Sequence, residues 1–96
     1  GLTAQRRQDI GVMALEQRVL ASYERGDYLG ALSALRQRAP HATETRDLTL
    51  MRAWSLYQLG KIDEAERLFR ALDAQTSTKE SRSGLAAVDS KRTRPE

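Results

Sequence analysis

Apolar residues recur along this chain in steps of three and four, the period of an amphipathic helix. Tyr28, Ala31, Leu32, Leu35 and Ala39 fall on one side of such a helix, and so do Ile62, Ala65, Leu68, Phe69 and Leu72. Ala, Leu, Arg, Glu and Gln dominate the composition and favour helix. No stretch alternates β-branched residues in the manner of a strand. Gly26 and Gly60 each close a helical run, where glycine can take the left-handed conformation that satisfies the last carbonyls. A new helical pattern follows each glycine at once. The predicted unit is helix, tight glycine turn, helix, packed antiparallel because the connection is so short. A further helix is predicted from about 77 to 90. Ser77-Thr78-Lys79-Glu80 fits a capping box at its start, and Leu85 and Val88 supply an apolar side. Asp89 to Glu96 contain no apolar residue, which predicts fraying and a disordered basic tail over 91–96.

The two glycines lie 34 residues apart, and other residues keep that offset. Tyr23 matches Tyr57, Ala31 matches Ala65, Arg18 matches Arg52 and Arg36 matches Arg70. Tyr28 pairs in kind with Ile62, and Leu35 with Phe69. This period in a helix-turn-helix unit resembles the tetratricopeptide repeat. Ala65-x3-Phe69 fits the Ala-x3-Phe element of that family, and Ala31-x3-Leu35 fits it with an aliphatic substitute. Ala53, Tyr57, Gly60 and Ala65 match the family pattern in one unit; Tyr23, Gly26, Asp27, Tyr28 and Ala31 match it in the other. Departures are Leu15 and Thr49 at the early tryptophan position, Arg18 and Arg52 at a usual leucine, and Thr43 and Ser77 at the closing proline.

The resemblance implies an all-α fold: antiparallel helix-turn-helix repeats stacked as a short right-handed superhelix. Repeat one would cover about 12–45 and repeat two about 46–79, with a partial third unit or capping helix after them. Residues 1–10 would align with the end of a preceding second helix, and the whole would be a fragment of a longer repeat protein. Ala31 and Ala65 would sit where two helix backbones approach, with Leu35 and Phe69 filling the space beside them.

The resemblance also implies function. Groove-facing positions in the family correspond here to Met13, Glu16, Leu20, Tyr23 and Glu24, and to Asp47, Leu50, Trp54, Tyr57 and Gln58. A partner protein or peptide would lie on that concave surface, with Leu20, Leu50, Trp54 and the tyrosines as its apolar strip. Trp54 and Leu50 could equally pack between neighbouring first helices. Family members that bind chaperone tails clamp a terminal carboxylate with Lys, Asn and Arg; the matching residues here are Glu16, Leu20, Met51, Ser81 and Leu85, which predicts no such binding. The small-residue segment from Glu80 to Val88 is similar to first helices in bacterial repeat proteins, including those of exopolysaccharide export and biosynthesis machines. Self-association through the uncovered face of the last helix is a further alternative.

Composition narrows the chemistry. The chain of 96 residues has no cysteine and one histidine, which excludes disulfides, thiolate metal sites, a catalytic thiol and a multi-histidine cluster. No cofactor or metal is expected. No nucleophile elbow, phosphate-binding loop or dinucleotide fingerprint is present. Asp63 and Glu64 sit at a predicted helix start, where carboxylates stabilise the dipole. His41 follows Pro40 in a predicted exposed turn. Enzyme activity is therefore not expected. The net charge of +3 comes from 16 basic and 13 acidic residues, mostly interspersed, and no nucleic-acid-binding motif accompanies it. No apolar run approaches the ~20 residues that span a bilayer. Gly1 at the start reads as a cloning scar or processing product, so the sequence does not define native targeting; the compartment of this soluble segment stays open between cytoplasm and periplasm.

Overall fold

The computed structural model describes residues 2–93. Among the described residues there are five α-helices and no strand: α1 (Leu2–Glu24), α2 (Tyr28–Arg38), α3 (Arg46–Gln58), α4 (Ile62–Gln75) and α5 (Lys79–Thr93). The fold is all-α. The chain divides into two compact units, Gly1–Thr45 and Arg46–Glu96.

In the first unit α1 and α2 pack together across the turn at Gly26. Gly26 has φ of +79°. Its N–H donates to the Tyr23 carbonyl (3.1 Å), and the Asp27 N–H donates to the Ser22 carbonyl (2.8 Å). This pair of bonds satisfies the last carbonyls of α1. Asp27 then caps α2, its carboxylate accepting from the Gly30 N–H at 2.9 Å. Val19 and Ser22 on α1 and Ala31, Leu32, Ala34 and Leu35 on α2 are buried.

Residues 2–10, expected as the tail of a separate preceding helix, belong instead to α1, which runs without a break to Glu24. No proline interrupts this stretch. Gly11 does not take positive φ, and one glycine inside a helix costs only about 1 kcal/mol. At 1.5 Å per residue α1 is about 34 Å long and α2 about 16 Å.

The second unit starts from a hairpin of α3 and α4. Gly60 has φ of +83°; its N–H donates to the Tyr57 carbonyl (3.0 Å), and the Lys61 N–H donates to the Leu56 carbonyl (2.8 Å). The turn geometry thus recurs with the sequence period. Asp63 and Glu64 occupy the first turn of α4, as predicted. Leu48, Ala53, Leu56, Ala65, Phe69, Leu72 and Val88 form the core, and α5 packs on α4.

Two expectations about α5 are corrected. The capping box is built by Thr78 and Ser81, not Ser77 and Glu80. The Thr78 N–H donates to Ser81 Oγ (2.9 Å), and the Ser81 N–H donates to Thr78 Oγ1 (3.2 Å). The shift follows from burial: Ser81 is enclosed and donates to Asp73 (2.7 Å), whereas Glu80 is exposed. The expected fraying after Asp89 is also absent through Thr93. Arg92 pairs with Asp63 and with Glu66, and the Lys91 ammonium lies 5.8 Å from the Tyr57 ring centre. These contacts hold the last turn although it has no apolar residue. The remainder of the expected tail, 94–96, lies outside the described residues.

Candidate partner-binding faces

The expected groove residues fall in both units, and each unit places its own. On α1, Met13 is 61% exposed, Leu20 and Tyr23 are half-buried, and Glu24 is exposed. Tyr23 meets Tyr28 edge-on with ring centres 5.9 Å apart. Burial first, and the Tyr28 phenol second, push the Tyr23 hydroxyl above the usual tyrosine range.

Glu16 is drawn into an internal ion pair. Its carboxylate accepts from Arg38 Nε (3.2 Å) and Nη2 (2.9 Å), while Arg38 Nη1 donates to the Thr43 carbonyl (3.0 Å). Arg38 is 4% exposed. Glu16 therefore ties α1 to the end of α2. Burying a guanidinium is tolerated when a carboxylate and a carbonyl accept hydrogen bonds from its N–H groups. Sequence reasoning did not single out Arg38, since its partners lie 22 residues upstream and on a backbone carbonyl.

On α3, Leu50, Trp54 and Tyr57 are half-buried, and Gln58 and Asp47 are exposed. Trp54 meets Tyr57 edge-on at 5.5 Å and Phe69 edge-on at 5.0 Å. Phe69 itself is fully buried. Trp54 thus packs against both a core ring and a neighbouring surface ring, and it is neither fully buried nor exposed. Aromatic pairs of this geometry add about 0.5–1.5 kcal/mol beyond their burial.

The residues of the expected repeat signature differ in burial. Ala31, Ala53, Ala65 and Phe69 are 0% exposed and Leu35 is 1% exposed. Tyr28 and Ile62 are half-buried. Arg46, at the start of α3, was not anticipated. It donates to the carbonyls of Leu72 and Thr76 and so closes the C-terminal end of α4. The buried Gly84 of α5, which lies against the Phe69 ring, was not anticipated either, although its setting among Ser81, Ser83, Ala86 and Ala87 was a legible sign of close helix approach.

Of the residues matching a carboxylate clamp, Glu16 is ion-paired and Ser81 is enclosed. The α5 face expected to be uncovered is largely occupied, since Val88 is 1% exposed and Leu85 half-buried. An open cavity of about 440 Å³ lies in the first unit, lined by Arg7, Gly11, Val12, Leu15 and His41; it does not coincide with the expected groove positions. His41 is exposed. No described helix is long and apolar enough to cross a membrane. Comparison with protein-family models, curated proteins and solved structures finds no match.

Proposed function

We propose that this chain is a non-catalytic interaction module that takes a partner protein or peptide on the first helix of a hairpin, with Trp54 as the principal anchor. The observation that carries this reading is the setting of Trp54: only partly buried, yet held edge-on by Phe69 and Tyr57. A large aromatic already fixed in place loses little freedom on binding. Tryptophan and tyrosine are also the side chains that most often dominate binding energy. Leu50 lies one turn before Trp54, and Tyr57 and Gln58 one turn after it, so the four share a face. Lys91 stands beside Tyr57 and favours a partner that sets a carboxylate next to its apolar side chains. No specific observation favours an envelope polysaccharide machine as the setting.

The test is site-specific photo-crosslinking in cells that express the protein. A photoreactive residue at Gln58 should trap one discrete partner, and the same residue at Arg70, on the exposed face of α4, should not. Trp54→Ala should abolish the adduct. Lys91→Glu, which alters an exposed side chain and leaves the core intact, should weaken it. No adduct at Gln58, or equal adducts from both positions, would refute the reading.

A further inference from the structure

Within the first unit α1 has two faces. One packs on α2 through Val19 and Ser22. On the opposite side lie Arg6, Ile10, Met13, Gln17, Leu20 and Glu24, in alternating steps of four and three. That is the spacing of a coiled-coil seam. Arg6, Gln17 and Glu24 are exposed, Ile10 is 66% and Met13 61% exposed, and Leu20 is half-buried. Since α2 packs on the other side, the described residues of the first unit offer this seam no helix partner.

The seam is complementary to itself. A cation stands at its N-terminal end, a carboxylate at its C-terminal end, and apolar side chains lie between. Two copies laid antiparallel would set Arg6 of one against Glu24 of the other, Ile10 against Leu20 and Met13 against Gln17. Two-fold symmetry makes each contact twice. A parallel pair would instead face Arg6 with Arg6 and Glu24 with Glu24, which is repulsive. From this charge pattern we infer that α1 pairs antiparallel with α1 of a second copy, giving a homodimer that forms with rising concentration. The inference goes beyond the proposed function and uses the other unit, so either can fail alone. The seam spans about 27 Å of one helix, small beside the ~800 Å² per partner of a stable interface. The dimer is accordingly weak.

Sedimentation equilibrium from about 10 μM to about 1 mM tests it. The weight-average mass should rise from 10.8 kDa toward twice that value. Ile10→Asp should weaken association at least about tenfold, a loss of about 1.4 kcal/mol. Arg6→Glu and Glu24→Arg should each weaken it, and the two together should restore it. These side chains are exposed, so circular dichroism should be unchanged. The chain has no cysteine, so register can be read directly: a mixture of Ile10→Cys and Leu20→Cys chains should form the mixed disulfide, and Ile10→Cys alone should not. A mass fixed at 10.8 kDa throughout, as expected if the seam serves a different protein, would overturn the proposal. So would association indifferent to Ile10→Asp, or self-crosslinking of Ile10→Cys.

Discussion

Gly84 of α5 lies directly against the ring of Phe69. A methyl group built on its Cα would come within 2.2 Å of Phe69 Cδ1 and Cε1. Phe69 is fully buried and edge-on to Trp54, so its ring has nowhere to retreat. The missing side chain at Gly84 is what lets α5 close onto α4.

Gly84→Ala should therefore destabilise the protein, although alanine is the better helix former by about 1 kcal/mol. Overfilling a packed contact costs about 1–3 kcal/mol, and a backbone shift adds to it. Urea denaturation should show a net loss, partly recovered in Gly84→Ala with Phe69→Leu. A gain in stability for Gly84→Ala alone would contradict the close approach.

Ser55 behaves in the opposite sense. Its hydroxyl is fully buried with no hydrogen-bond partner among the described residues. Leaving a buried polar group unpaired costs about 1–3 kcal/mol. Ser55→Ala should raise the midpoint of thermal unfolding, and a lowered midpoint would show that the hydroxyl has a partner after all.

Gly26 and Gly60 should respond alike to substitution. Neither would place a new methyl group within 4 Å of anything, but both hold positive φ. Alanine in that conformation costs about 1–2 kcal/mol. Equal losses for Gly26→Ala and Gly60→Ala in denaturant titrations are expected, and a markedly unequal pair would show that the two turns are not equivalent.

Arg38 and Glu16 offer a double-mutant cycle. Arg38→Met removes a buried guanidinium, while Glu16→Gln leaves that guanidinium enclosed with a weaker acceptor. Hydrogen bonds to charged groups are worth about 1.5–3 kcal/mol, and the partial exposure of Glu16 reduces this. Glu16→Gln should destabilise the wild type measurably and leave the Arg38→Met variant almost unchanged.

Asp73 makes stability depend on pH. Hydrogen bonds from Ser81 first and Ser77 second hold its carboxyl below the usual aspartate range. A lowered folded-state value means that the carboxylate stabilises the fold above the ordinary aspartate pKa of about 3.9. That contribution is lost as pH falls through the lower folded-state value. The gap in melting temperature between wild type and Ser81→Ala should be largest near neutrality and narrow toward pH 3. A gap that widens on acidification would exclude this role for Asp73.

The sequence by itself determined the helical hairpins. Glycine is the residue that tolerates the left-handed turn, so Gly26 and Gly60 could be placed as helix stops from local chemistry. The spacing of Ala31 and Leu35 by four, and of Ala65, Phe69 and Leu72 by four and three, marked the buried stripe for the same local reason. Tertiary structure alone decided what depends on distant neighbours. It enclosed Arg38 with Glu16, seated Gly84 on Phe69, moved the α5 cap to Thr78 and Ser81, and carried α5 on to Thr93 through Arg92. Helix period and turn chemistry act over a few adjacent residues, whereas burial and ion pairing join residues far apart in the chain, and only folding brings those together.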